Sequence, residues 1–408
     1  MRIAIWTTMY PLPGNMHHGH AAKRLVYALR KFCPDYQVDV YLFISPVGKR
    51  VLPRFSKKYR VKASALKSGP YEPGLHFRPI PILPKNMFAR WINPFWQRYI
   101  LSKMGEGIEC DLILVHMCTH LSYGAVLAGK KRGVPVVLEL RREMNEPGSL
   151  PSWKKKLLFD AVKMADMVVS PSAHLAAKCH NATGRDVQII PSGTDTIFDK
   201  KPPSNLSRNR RVLFVGALEP NKGIKALLQT SLKLFANGIN FELFIVGEGS
   251  FDEHSYRLEL EELAQGHPQV KFLGQITAEE VREEMRQAQL LCVPSYTETL
   301  GLVYFEAMKQ GLPVIGRRGT GIDGMGEAGR DYELISNDEE LYSLLPALLE
   351  DSGRRLRLAE AGQRLASNWT WKNTALQHMT IFERLSRQRR IQCNQQSFPE
   401  EKNNLQSY

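Results

Sequence analysis

The sequence has no apolar run near the roughly 18 residues that a membrane-crossing helix requires, and it has no Cys-x-x-Cys pair. The first absence argues against an integral membrane protein. The second, with Cys33, Cys110, Cys118, Cys179, Cys292 and Cys393 spread widely, argues against a zinc ribbon or a disulfide framework. Acidic residues are scarce at the start: the first hundred residues hold seventeen Lys and Arg against three Asp and Glu, which accounts for the whole net charge of +14. Residues 201–408 are close to balanced, with 25 Lys and Arg against 27 Asp and Glu. A basic first half calls for an acidic partner there: anionic lipid, nucleic acid or a phosphorylated acceptor. The opening run Met1–Trp6 is too short for a signal sequence and is closed by Pro11 and Pro13, so it reads as a buried strand and places the protein in the cytoplasm.

What is present is an ordinary globular composition, 43% hydrophobic and 24% charged, over 408 residues. That length calls for two or three domains. Strand-like runs near 2–9, 37–45, 111–117, 134–140, 167–171 and 187–191 alternate with helical patterns near 20–32, 120–132, 154–165 and 173–180. The alternation resumes with strands near 211–217, 241–247, 270–274, 290–294 and 313–316, and helices near 222–236, 254–265, 278–288, 300–310 and 338–350. Such alternation predicts α/β architecture, with parallel sheets covered by helices on both faces. A polar, proline-bearing stretch at 199–210 separates two similar halves. The predicted organisation is two Rossmann-like doubly wound domains, 1–200 and 208–370, facing a central cleft. A C-terminal helix at 371–388 packs back on the first domain, and a polar, mobile tail follows at 389–408.

Open parallel sheets bind ligands at the carboxyl ends of their strands. The most informative stretch sits there: Pro294-Ser295-Tyr296-Thr297-Glu298-Thr299-Leu300-Gly301-Leu302-Val303-Tyr304-Phe305-Glu306-Ala307-Met308. A strand runs into a short loop and then an apolar helix whose first N–H groups, at Leu300, Gly301 and Leu302, suit a diphosphate. Glu306 interrupts the apolar helix and needs donors, which the vicinal hydroxyls of a sugar supply. Glu298 reaches the other side of the same anion. In the first half, Gly19 stands at a helix start where it can meet a phosphate or an acceptor hydroxyl. The neighbouring His17, His18 and His20 lack a carboxylate spaced to complete a metal site. Two stretches, 49–60 and 88–99, mix Lys and Arg with large aromatics in the manner of a membrane interface, and no nucleic-acid-binding module is evident.

Glu298 and Glu306, followed by Ala307-Met308-Lys309-Gln310-Gly311-Leu312-Pro313-Val314-Ile315, resemble the signature of family 4 retaining glycosyltransferases of GT-B fold. Five further blocks agree in order: Ala165-Asp166-Met167-Val168-Val169-Ser170-Pro171-Ser172, Ile190-Pro191-Ser192-Gly193-Thr194-Asp195, Val215-Gly216-Ala217-Leu218-Glu219-Pro220-Asn221-Lys222-Gly223, Val246-Gly247-Glu248-Gly249 and Val270-Lys271-Phe272-Leu273-Gly274. The resemblance implies transfer of a hexose-type sugar from a nucleoside-diphosphate sugar to a hydroxyl acceptor, with retention and without a metal or cofactor. It implies that Lys222 contacts the diphosphate, Glu298 the hexose and Glu306 the ribose diol. Thr299, Leu300, Gly301 and Leu302 would cradle phosphate, with Gly216, Asn221 and Gly247 lining the site.

Two departures stand out. Ala217 replaces a frequent Arg, and the strand ending at Glu139 carries no His where the family often has one. Glu139 then faces the sugar, and Arg141 or Arg142 supplies the missing cation. The expected partners are the nucleotide sugar and an acceptor that is lipid-linked in a polysaccharide or glycolipid pathway, with the protein resting on the inner face of an anionic membrane. The alternatives are a non-catalytic nucleotide-sugar-binding subunit and a sugar-nucleotide epimerase.

Overall fold

The computed structural model describes residues 1–11, 19–44, 72–79, 101, 103–141, 144, 147–194, 210–249 and 254–396. The chain divides into two compact units. One comprises Met1–Val169, Ala182–Gln188 and Ala375–Tyr408, and the other Ser170–Asn181 and Ile189–Thr374. The basic aromatic stretches at 49–60 and 88–99, most of the loop before Gly19, and Arg142 lie outside the described residues.

The first unit is built on a parallel sheet. Its strands are β1 (Arg2–Thr7), β2 (Gln37–Ile44), β3 (Leu75–Pro79), β4 (Leu112–His116), β5 (Val136–Glu139), β6 (Met167–Ser170) and β7 (Gln188–Ile189), in the order β3-β2-β1-β4-β5-β6-β7. β1 is central because it is apolar on both faces. Ile3 pairs in register with Val38 on one side and Leu112 on the other, and Ile3, Ile5, Leu112 and Leu114 are all fully buried. Helices α1 (His20–Phe32), α2 (Ser122–Arg132) and α3 (Ser152–Met164) alternate with the strands, while α4 (Ala173–Thr183), between β6 and β7 in the chain, falls mostly in the second unit with Ser172.

The second unit repeats the plan with β8 (Arg211–Val215), β9 (Glu242–Val246), β10 (Val270–Gly274), β11 (Leu290–Cys292), β12 (Val314–Arg317) and β13 (Glu333–Ile335), ordered β10-β9-β8-β11-β12-β13. Its helices are α5 (Ile224–Ala236), α6 (His254–Leu263), α7 (Ala278–Gln287), α8 (Leu302–Lys309), α9 (Glu340–Glu350) and α10 (Ser352–Ser367). Local chemistry sets the boundaries. Thr277 accepts a hydrogen bond from the Glu280 N–H (3.2 Å), and the Glu280 carboxylate accepts one from the Thr277 N–H (2.7 Å), a reciprocal cap that starts α7.

Both sheets reverse direction at their first strand, β1/β4 in one and β8/β11 in the other. That reversal is where doubly wound sheets open a crevice at their carboxyl ends.

The structure adds elements that the sequence reading missed. β3 and β13 are edge strands, and α10 is a separate helix. The polar tail expected from residue 389 is not a tail at its start, because α11 (Trp371–Gln396) carries the helix through it. Arg and Gln are good helix formers, so polarity there is compatible with a continuing helix. Within the first unit α11 is tied down by Glu383, which accepts from the Tyr36 hydroxyl at 2.9 Å, and by Arg389, which donates to the Arg132 carbonyl at 3.2 Å.

Candidate functional site

In the second unit the expected site residues converge at the carboxyl ends of β8, β9 and β11. Gly216 follows β8 and donates its N–H to the Val246 carbonyl at 3.0 Å. Gly247 follows β9 at φ 141°, and a Cβ there would lie 1.8 Å from the Gly216 carbonyl oxygen. Only glycine allows the two strand ends to approach so closely. After β8 the chain turns through Pro220–Lys222 into α5. That turn is pinned to the loop after β11, where the Tyr296 N–H donates to the Asn221 carbonyl at 2.8 Å. The Asn221 side-chain oxygen is buried and has no hydrogen-bond partner among the described residues.

Lys222 Nζ meets Glu298 Oε2 at 2.6 Å, with 21% and 17% of the two side chains exposed. This pair stands just before α8. The Thr299 N–H donates to Glu298 Oε1 at 3.3 Å, Leu300 is buried, and Gly301 takes φ 77° as the cap residue of α8. A Cβ on Gly301 would meet the Tyr304 ring at 2.3 Å. Leu302 is the first helical residue, so its N–H and that of Val303 have no carbonyl one turn back, whereas the Tyr304 N–H already donates to the Gly301 carbonyl at 3.1 Å. The helix dipole adds partial positive charge at the same place. An ammonium and a helix start thus face one small volume, with a carboxylate beside them.

Two braces that the sequence reading missed hold this loop. Ser172, fully buried, donates from Oγ to the Thr299 carbonyl at 2.6 Å. Arg317, at the end of β12, donates from Nε to the Pro294 carbonyl at 3.1 Å, lies over the Tyr296 ring at 4.4 Å and pairs with Asp338. The Tyr296 hydroxyl donates to the other Asp338 oxygen at 2.6 Å. Burial, with that hydrogen bond, pushes its pKa up to about 12. A lone Arg closing an apolar strand was the available signal for the second brace. Ser172 gave none. Glu306 lies half-buried on α8, one turn before the buried Lys309.

The first unit places its expected residues differently. Glu139, at the end of β5, is 3% exposed. Its Oε2 accepts from His116 Nδ1 at 2.5 Å and its Oε1 from Arg141 at 2.5 Å. His116 ends β4 and pairs in register with Glu139. A histidine does therefore stand at a strand end here, on the strand next to the one where it was sought. Burial raises the Glu139 pKa, but Arg141 and His116 outweigh it and hold the carboxyl well below the usual range.

The geometry corrects two expectations. Glu139 does not present a free carboxylate to a sugar, because both oxygens are taken. Arg141 is not a spare cation, because it neutralises Glu139. Met117, next in chain after His116, is the one non-glycine residue with positive φ among the described residues (71°), a costly backbone state of the kind found at functional sites. Gly19 caps α1 at φ 82°, against the backbone of Met9 and Tyr10.

Among the described residues no group of three or more His, Cys, Asp or Glu is placed to hold a metal ion, and no helix is long and apolar enough to cross a membrane. A cavity of about 920 Å³ in the first unit, lined by Arg2, Asp111, Arg132 and Arg389, opens at the amino ends of the strands, away from all these residues.

Comparison with known proteins agrees with this geometry. Residues 21–198 match the family described as Glycosyltransferase Family 4, and residues 209–351 match Glycosyl transferases group 1. A phosphatidyl-myo-inositol mannosyltransferase from Mycolicibacterium smegmatis is 32% identical over 216 residues, spanning 50% of this chain and about half, 54%, of that relative. A D-inositol 3-phosphate glycosyltransferase from Acidothermus cellulolyticus is 24% identical, with 96% of this chain and 92% of the relative covered. Among solved structures, Anabaena HepE in complex with UDP superposes with a TM-score of 0.70 at 19% identity, covering 94% of this chain and 100% of that one. The lipopolysaccharide outer core galactosyltransferase WaaB gives 0.65 at 17% identity, with 94% and 100% covered. With one family model matching each half, and with two parallel-sheet units of its own, the chain belongs to the family 4 glycosyltransferases of GT-B fold.

Proposed function

We propose that the protein is a retaining glycosyltransferase that moves a hexose-type sugar from a nucleoside-diphosphate sugar to a hydroxyl acceptor in polysaccharide or glycolipid synthesis. The observation that carries this reading is the Lys222–Glu298 pair at the start of α8, on the switch point of the second sheet. A bound diphosphate draws Lys222 from Glu298, because a dianion competes well for a partly exposed ammonium. Glu298 Oε2 is then free to accept from hexose hydroxyls, while the amides at 300–302 hold phosphate. As the glycosidic bond lengthens, negative charge grows on the leaving diphosphate, and Lys222 with the helix start stabilises it. The departing phosphate takes the acceptor proton, so no side-chain nucleophile is needed, and these groups supply the positive charge without a metal. Glu306 accepts from the ribose diol. Glu139 positions His116 and Arg141.

The UDP complex of the similar HepE structure supports a uridine-type donor, and the names of the inositol-phosphate relatives support an acceptor that carries phosphate, which suits the basic first half. On α3, Lys154 lies over the Trp153 ring at 5.5 Å and Lys155 over the Phe159 ring at 5.6 Å. This surface supports contact with an anionic membrane.

A thermal-shift scan against UDP, GDP and ADP tests the site. One nucleotide should raise the melting temperature, and Glu306→Ala and Lys222→Ala should each reduce the shift. A shift indifferent to both substitutions, or no shift with any nucleotide, removes the reading.

A further inference from the structure

We propose that the cavity at the amino ends of the first sheet is a second anion site, in which Arg132 and Arg389 take the phosphate group of a small phosphorylated ligand. The cavity lies within the first unit, at the opposite ends of the strands from Gly19, His116 and Glu139, so its ligand is not a reactant.

The cavity measures about 920 Å³, the size of sites that hold small organic ligands. Arg132 is the last residue of α2, and its guanidinium donates to the carbonyls of Gly105 and Ile108. Arg389 comes from α11, 257 residues further along the chain, and donates to the Arg132 carbonyl at 3.2 Å. These bonds fix both side chains and leave further N–H donors on each fork. Neither guanidinium forms an ion pair with a carboxylate among the described residues.

A favourable charge at a helix end accounts for Lys130 and Lys131, which are exposed on the same turn of α2. It does not account for two half-buried guanidiniums lining one cavity, because each raises the energy of the other. An anion between them removes that repulsion, and the planar fork of Arg matches phosphate oxygens in pairs. The acidic residues of the cavity lie differently. Asp35, Glu109 and Asp111 are all exposed, and Arg2 engages two of them: its N–H donates to Asp111 at 2.7 Å, and its guanidinium meets Glu109 at 3.2 Å. Water screens exposed carboxylates, whereas half-buried cations set the potential inside a cleft. Gly133 keeps the approach to Arg389 open, since a Cβ there would lie 3.8 Å from that guanidinium. The buried Ile108 and Val134 give the ligand's body an apolar wall.

A phosphate monoester can be a soluble metabolite or a lipid headgroup, and two arms separate these sources. In the first, glycerol 3-phosphate is titrated by calorimetry into the full-length protein, with UDP in excess to occupy the donor site. In the second, the protein is sedimented with phosphatidylcholine vesicles with and without phosphatidic acid. Heat in the first arm marks a soluble ligand, and retention by phosphatidic acid alone marks a headgroup. Either supports the site when it depends on Arg389. Arg389→Gln should weaken the binding by about tenfold, the scale of a hydrogen bond between charged groups. Arg389→Lys, which keeps the charge but not the fork, should weaken it less, and UDP affinity should be unchanged in both. No binding in either arm, or binding indifferent to Arg389, overturns the proposal. So does binding lost in Lys222→Ala but kept in Arg389→Gln, because the phosphate would then sit at the donor site. A protein that binds glycerol 3-phosphate through Arg389 but no nucleotide would sink the donor-site reading and leave this one standing.

Discussion

The two sheets each place a carboxylate–cation pair after a parallel strand, and the pairs behave oppositely. Lys222 and Glu298 touch through one oxygen, with about a fifth of each side chain exposed. Glu139 is enclosed, with Arg141 on one oxygen and His116 on the other. The same two charge types serve as an exchangeable contact in one place and a locked one in the other. Burial makes the difference. A partly exposed pair can be opened by a competing anion at little cost, whereas opening an enclosed pair strands a charge without water.

The largest expected effect tests the locked side. Glu139→Ala leaves Arg141 and His116 facing a buried gap, and urea denaturation should show a loss of about 3–5 kcal/mol. The pH dependence has a definite sign. The folded-state pKa of Glu139 is depressed, so its contribution is fully present above the unfolded value and is lost as pH falls. The stability gap between wild type and Glu139→Gln should be constant near neutrality and shrink below about pH 4.3, the ordinary glutamate value. A cost under about 1 kcal/mol, the range of an exposed pair, would break the contrast.

Next comes the exchangeable side. Lys222→Ala should lower the rate of sugar transfer, or of donor hydrolysis, by about 10²–10³-fold, as expected when one group stabilising the leaving charge is removed. The melting temperature of the free protein should barely move. A collapse in stability that matches the loss of rate would mean that Lys222 is a structural ion pair like Arg141.

Much of the open side was legible in the sequence, because its residues are neighbours in the chain. Glu298, Gly301 and Glu306 fall within one strand–loop–helix unit, and Lys222 follows the strand beside it. The locked side was not legible. His116 and Glu139 are 23 residues apart and meet only because β4 and β5 are adjacent and in register. Ser172 reaches Thr299 across 127 residues. Strand alternation revealed the buried strands, whose apolar runs are unbroken, but not the edge strand β3, where His76 and Arg78 alternate with apolar residues.

A smaller effect separates two glycines of the open side. Gly301→Ala forces a side chain into φ 77° and against the Tyr304 ring. It should cost about 1–3 kcal/mol and weaken nucleotide binding with it. Gly216→Ala meets nothing closer than the Phe214 ring at 3.5 Å, so it should fold normally. A fall in nucleotide affinity without a fall in melting temperature would place a phosphate or sugar against that residue. Equal stability losses in both variants would mean that the Gly301 conformation is relaxed easily.

The smallest effect concerns the clamp on the exchangeable side. Ser172→Ala deletes the hydroxyl that bonds the Thr299 carbonyl and that also accepts from the Leu175 N–H at 3.3 Å, while the Ala176 N–H to the Ser172 carbonyl at 3.1 Å still holds the start of α4. The loop bearing Glu298 and the start of α8 would lose one hydrogen bond of about 1 kcal/mol. Lys222 and the amides remain, so the charge that stabilises the leaving group is intact and kcat should change little. The nucleotide must instead order a looser loop, and the donor KM should rise by about fivefold, the equivalent of that one bond. A fall in kcat with KM unchanged would instead put Ser172 among the groups that sense the transition state, and the open site would then depend on its buried supports as closely as Glu139 does.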